Sequence, residues 1–254
     1  MTDALEDHFG TVSIRGRPIT NLRFADDLNG LAENECKLAS LVEQLDKASS
    51  NFSMEISAEK TKIMTNSKES SKKEIKINGQ ILESVTKFKY LGSIISDEGS
   101  KPEILSRIAQ TTAAQTKLKP IWNNKNIAIS SKIRLLRSLV LSIFLYACES
   151  WTLTTDIERR IRAMEMRCYI RQLGISYKDH ITKEEVRRRI ENAIGPHVDL
   201  LTIVRQRKLK WYGHTTRSSG LAKTIMQGTV QGGRRRGRQK KRWEDISENG
   251  QDLC

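Results

Sequence analysis

Leu22-Arg23-Phe24-Ala25-Asp26-Asp27-Leu28 is the stretch on which the reading of this sequence turns. β-Forming residues run from Thr11 to Phe24, a tight Ala25-Asp26-Asp27 segment follows, and Leu28 to Ala32 resumes the apolar pattern, so residues 11–32 predict a β-hairpin. Two adjacent carboxylates at its tip repel each other. A divalent cation held by both would compensate, since Mg²⁺ favours carboxylate oxygens together with substrate phosphates. The plainer alternative is an Asp-rich turn with no ligand.

Working outward, Leu38, Leu41, Val42 and Leu45 fall at helical spacing and predict an amphipathic helix from Glu35 to Ala48. A strand is expected at Ile63-Met64-Thr65. Residues 66–73 form a polar break. Ile75 to Leu82 contains Asn78-Gly79, a two-residue hairpin signal, and Phe88 to Ile95 alternates as a further strand. Beyond Gly99 the texture becomes helical. Ser100 with Pro102 marks the start of a helix reaching about Lys119. Ser130 or Ser131 would cap a second, ending near Cys148. A third starts at Asp156, with Ile157, Ile161, Met164 and Cys168 on one stripe. Thr182 and Glu185 read as a capping box for a fourth, with Val186 and Ile190 on one face. A fifth covers Val198 to Trp211. From Gly213 onward Gly, Ser and basic residues dominate, and little fixed structure is expected there. No internal repeat is visible.

The fold class is therefore α+β: a small mixed unit over 1–98, then helices over 99–150 and 151–212, then a basic tail over 213–254. A chain of 254 residues with 37% apolar and 29% charged residues buries a real core. Residues 1–100 hold 13 Lys/Arg against 16 Asp/Glu, while 101–254 hold 31 against 14, a net of +17. A basic half of this size points to a polyanion partner. The greasiest stretch, Leu135 to Ala147, is broken by Arg137, Ser138 and Ser142, so no membrane span is expected. The acidic start at Met1-Thr2-Asp3-Ala4 is unlike a secretion signal. Cys36, Cys148, Cys168 and Cys254 are too scattered for a zinc site or a disulfide framework, which favours a reducing compartment, nucleus or cytoplasm. His180, His197 and His214 share no ligand spacing with them.

The flanks of the Asp-Asp pair add a resemblance. Phe24-Ala25-Asp26-Asp27 is similar to the catalytic hairpin of reverse transcriptases, an aromatic, a small residue and two aspartates. Met54-Glu55-Ile56-Ser57-Ala58-Glu59-Lys60-Thr61-Lys62 resembles the next polymerase motif, and Phe88-Lys89-Tyr90-Leu91-Gly92 resembles the primer grip. In that order they look like the palm of a non-long-terminal-repeat (LINE-like) retrotransposon enzyme. Ser142 to Thr152, through Tyr146, Cys148, Glu149 and Trp151, resembles the helix behind its thumb. Trp211-Tyr212-Gly213-His214 and Gly237-Arg238-Gln239-Lys240-Lys241-Arg242-Trp243 resemble its C-terminal region.

The resemblance implies an RNA-directed DNA polymerase using Mg²⁺ or Mn²⁺, an RNA template, a DNA primer and deoxynucleotides. Asp26 would bind metal and Asp27 would position metal or the primer end. Lys60 would stand where the family has a lysine assigned as general acid, and Phe88, Lys89, Tyr90, Leu91 and Gly92 would grip the primer. The family also uses a third upstream carboxylate, a nucleotide-selecting helix and fingers. Roughly twenty residues precede the hairpin, so a truncated, inactive copy is expected. Arg234, Arg235, Arg236, Arg238, Lys240, Lys241 and Arg242 form a basic cluster suited to phosphate contacts or nuclear import, or else a solvated tail. Two other readings stay open: a non-catalytic basic nucleic-acid-binding protein, and a neutral pseudogene product.

Overall fold

The computed structural model describes residues 12–14, 16–65 and 74–227. The described residues divide into two compact units, those up to residue 88 together with 214–227, and residues 89–213. Small sheets dominate the first and helices the second, an α+β arrangement.

The first unit begins with two short hairpins where one was expected. Strands β1 (Val12–Ile14) and β2 (Arg17–Ile19) pair antiparallel with Val12 opposite Ile19. Strands β3 (Asn21–Phe24) and β4 (Asp27–Gly30) pair with Asn21 opposite Gly30 and Phe24 opposite Asp27. The extra turn falls at Gly16, whose φ of +74° gives the tight reversal that a continuous strand from Thr11 to Phe24 would lack.

Helix α1 (Glu35–Asn51) runs three residues past the expected end. Asn34 caps it, its side-chain oxygen accepting the Lys37 N–H at 2.9 Å. Leu41 and Leu45 are buried and packed by Leu28, Leu38 and Ile56, so α1 backs the β3–β4 hairpin. The approach is close: a Cβ on Gly30 would lie 3.0 Å from Leu41 Cδ2. Each fully buried leucine contributes about 1.5–3 kcal/mol.

The strand expected at 63–65 is shorter and starts earlier, as β5 (Lys62–Ile63), which pairs parallel with β8 (Glu83–Ser84). Strands β6 (Lys76–Ile77) and β7 (Gln80–Ile81) form the hairpin predicted from Asn78-Gly79. Both turn residues take positive φ, +49° and +76°. That is the requirement Asn-Gly meets at least cost. Ile75, Ile77 and Leu82 bury beneath Ala39, Val42 and Ile63.

The second unit opens with a hairpin, β9 (Lys87–Tyr90) and β10 (Ser93–Ser96), in place of the single strand expected from residue alternation. Helix α2 (Lys101–Lys117) has Pro102 in its first turn, as predicted, but Ser100 does not cap it. The Ser100 hydroxyl instead accepts the Thr152 N–H at 3.0 Å. After α3 (Lys119–Asn123), the helix expected to reach Cys148 is α4 (Ile129–Leu135), a π-helical segment at Leu136–Val140 and α5 (Leu141–Phe144). It stops four residues early because Ala147 takes φ +54°, a left-handed break.

Helix α6 (Thr155–Gln172) buries Ile157, Ile161, Met164 and Cys168, the stripe read from the sequence. In α7 (Lys183–Ile194) Val186 and Ile190 are buried, and the Thr182 hydroxyl accepts the Glu185 N–H at 3.3 Å. The other half of the capping box is lost, because the Glu185 carboxylate pairs with Arg188 and Arg189. Helix α8 (Leu200–Arg217) extends six residues past Trp211, and α9 (Leu221–Gln227) follows, so ordered helix reaches into the segment expected to lack it. The carboxylate of Glu165, buried, accepts the Leu200 N–H at 2.8 Å and so caps α8 from a neighbouring helix. One core joins helices α2 to α8, with Phe144 and Trp151 edge to face at 5.1 Å.

Candidate nucleic-acid interface

In the first unit, β3 and β4 place Ala25 and Asp26 in a two-residue loop and Asp27 as the first residue of β4. All three are exposed. Ala25 has φ +52°, a conformation costing a residue with a Cβ about 1–2 kcal/mol, and strain of this kind gathers at functional tips. Among the described residues neither aspartate side chain has a hydrogen bond or ion pair, so both carboxylates face solvent. Phe24 and Leu22, on one face of β3, are also exposed, at 62% and 37%.

Lys60 lies in the 57–61 turn, exposed, its backbone N–H on the Ser57 hydroxyl at 3.4 Å. Next to it Lys62 is committed elsewhere, in a 2.7 Å ion pair with Glu83. A polar hollow of about 280 Å³ is lined by Glu55, Ser57, Glu59, Asn78 and Gln80. No interaction among the described residues draws Lys60 to Asp26 or Asp27.

Among the described residues no group of three or more His, Cys, Asp or Glu converges on a possible metal position. Two adjacent, solvent-facing aspartates supply too few oxygens to fix a Mg²⁺ that demands octahedral geometry, or a pair of ions. This donor set does not fit a two-metal centre. His197 turns its ring edge-on to Tyr169 at 5.8 Å, and burial lowers its basicity.

The second unit holds a more elaborate site around Tyr90-Leu91-Gly92-Ser93. Strands β9 and β10 reverse through Leu91 and Gly92, at φ +47° and +79°. The Tyr146 hydroxyl donates to the Leu91 carbonyl at 2.6 Å. The guanidinium of Arg107, on α2, donates from Nη2 to the Gly92 carbonyl and from Nε to Glu103 Oε1 at 2.6 Å. Glu103 Oε2 accepts the Ile94 N–H at 2.7 Å. Finally, Arg107 Cζ lies 4.5 Å from the centroid of the Tyr146 ring, a cation–π arrangement. Glu103 and Arg107 are 3% and 7% exposed, whereas Lys87 and Lys89 on β9 face solvent.

Sequence reasoning placed Phe88, Lys89, Tyr90, Leu91 and Gly92 in a strand and missed Glu103 and Arg107. Their i, i+4 spacing reads as an ordinary solvated pair, and no local signal marks it as buried.

Residues 89–213 contain 23 Lys/Arg against 12 Asp/Glu, a net of +11. Several arginines of α6 and α7 are paired: Arg159 and Arg160 with Asp156, Arg188 and Arg189 with Glu185. These partners hold the Asp156 and Glu185 carboxyls below the usual carboxylate range. The basic cluster Arg234, Arg235, Arg236, Arg238, Lys240, Lys241 and Arg242 lies outside the described residues. No helix among the described residues is long and apolar enough to cross a membrane.

The chain is similar to an uncharacterized transposon-derived protein of Caenorhabditis elegans, 29% identical over 210 residues covering 80% of this chain and 74% of that one. No family model matches, and no solved structure does.

Proposed function

We propose that this chain derives from the reverse transcriptase of a LINE-like retrotransposon and retains nucleic-acid binding rather than polymerisation. The observation that carries the reading is the ordered pair of hairpins. A tight turn presents Asp26 and Asp27 on a helix-backed β-ribbon, and a second turn at Leu91-Gly92 follows in the order the resemblance requires. The similarity to a transposon-derived protein supports a transposon-related origin. Lys89 and the net charge of +11 across 89–213 would meet the phosphates of a primed template. Binding of this kind is set mainly by backbone charge and carries little sequence preference.

Catalysis is not expected of these residues. Phosphoryl transfer depends on positioning, and a misplacement of about 1 Å costs on the order of 100-fold. Only two carboxylates stand at the tip, with Lys60 in a separate turn. A non-catalytic nucleic-acid-binding protein is the second reading, favoured by the lack of any convergent ligand set among the described residues.

The test is a primed RNA template with deoxynucleotides and millimolar Mg²⁺ or Mn²⁺. Residues 1–254 should bind it and produce no complementary DNA above background. Synthesis abolished by Asp26→Ala would show that another acidic residue completes the centre. No binding to primed template at low salt would defeat both readings.

A further inference from the structure

The turn at Leu91-Gly92 is anchored far beyond what a surface hairpin needs. Turn carbonyls ordinarily face water, yet here both are taken by side chains, Leu91 O by Tyr146 and Gly92 O by Arg107. Glu103 closes the ring by accepting from Arg107 and from the Ile94 N–H, the second N–H of the returning strand. A Cβ on Gly92 would meet Tyr146 at ordinary contact distance, 3.4 Å from the hydroxyl oxygen and 3.6 Å from Cε1, so it is the φ of +79° that calls for glycine here.

Burying an ion pair is an inefficient way to gain stability, because its desolvation cancels most of the attraction and apolar replacements often do as well. What such a pair does supply is a fixed geometry. Side chains on the hairpin still reach solvent while its backbone is held, with Lys89 exposed and Ile95 41% exposed. A rigid backbone presenting exposed side chains is the arrangement that preorganises a binding site.

We propose that Glu103, Arg107 and Tyr146 are positioning residues that lock the Tyr90-Leu91-Gly92 turn, so that the hairpin meets a nucleic-acid strand end in one register. The clamp is read from the contacts above; that a strand end is its ligand rests on the primer-holding reading. Removing the Tyr146 hydroxyl frees the Leu91 carbonyl but leaves the aromatic ring under Arg107.

Two measurements on residues 1–254 and its Tyr146→Phe variant separate these layers. Amide exchange at Leu91 to Ile94 should rise about fivefold in the variant, the loss of one hydrogen bond. Cross-linking uses an RNA–DNA hybrid carrying 4-thiothymidine at the primer 3′ end. In the parent protein cross-links should fall within residues 87–96. In Tyr146→Phe they should spread to neighbouring peptides while total affinity changes less than twofold. Arg107→Lys, which keeps the charge but not the planar fork, should move both readouts the same way. Unchanged exchange in both variants would overturn the clamp. Raised exchange with an unmoved cross-link would overturn the positioning role. Parent cross-links that avoid residues 87–96 would instead defeat the primer-holding reading, leaving exchange to judge the clamp by itself.

Discussion

Replacing Glu103 by glutamine removes one charge and little volume from the buried ring on α2. Glu103 accepts from Arg107 Nε and from the Ile94 N–H, at 2.6 and 2.7 Å, with 3% of its side chain exposed. A glutamine can satisfy one of these donors with its oxygen, but its amide nitrogen then faces the other, donor against donor. The Arg107 guanidinium, 8% exposed, loses its counter-charge in place. Breaking one side of a buried pair costs about 3–5 kcal/mol, a large share of the roughly 5–15 kcal/mol that holds a domain. For a unit of roughly 125 residues, about 3–5 °C per kcal/mol, the midpoint should fall by roughly 9–25 °C. Tryptophan fluorescence isolates the event, since all four tryptophans lie beyond residue 100 and Trp122 and Trp151 are buried in the helical core. The control is Glu185→Gln, which breaks surface pairs with Arg188 and Arg189 and should leave the midpoint within experimental scatter. If Glu103→Gln melts no lower than Glu185→Gln, the buried ring does not carry the energy assigned to it.

Burial pushes the Lys208 ammonium down to about 7, below its usual 10.5, while its Nζ donates to the Trp151 and Glu149 carbonyls. The unfolded chain then binds more protons between those values, so this group's contribution rises with pH from about 7. The melting midpoint of the parent protein minus that of Lys208→Met should therefore grow from pH 7 to 9, and a constant difference refutes it. Gly30→Ala forces a Cβ to 3.0 Å from Leu41 Cδ2 and should destabilise the Asp-Asp hairpin by about 1–3 kcal/mol, seen as faster amide exchange across residues 21–30. Pairing it with Leu41→Val should recover part of that loss. Binding to a DNA duplex should weaken steeply between 50 and 200 mM salt, with Arg234, Arg235 and Arg236 neutralised together flattening the slope by up to about 3; affinity indifferent to salt removes the phosphate-binding role.

Where the sequence was decisive, the deciding forces are local. Asn78-Gly79 set its turn because both positions need positive φ. Leu41 with Leu45 on α1, and Ile157, Ile161 and Met164 on α6, set their buried faces because helical spacing puts them on one side. Asp26 and Asp27 came to a hairpin tip because apolar strand residues flank them. Charge placement, too, was complete in the sequence, since it needs only counting.

Tertiary structure alone decided the rest. On α2, Glu103, Arg107, Thr111 and Gln115 stand four residues apart, a polar stripe that periodicity assigns to solvent, yet all four are buried. Thr111 bonds within the helix, to the Arg107 carbonyl, but other partners lie far along the chain: Gln115 donates to the Cys168 carbonyl 53 residues away, and the Leu91 carbonyl accepts from a hydroxyl 55 residues on. The early end of the helix at Phe144 and the reach of Ser100 to Thr152 have the same origin. Burying a polar side chain is costly unless some group returns its hydrogen bond, and for Gln115 and for the Leu91 turn the two halves of that exchange lie too far apart for any local window of sequence to contain both.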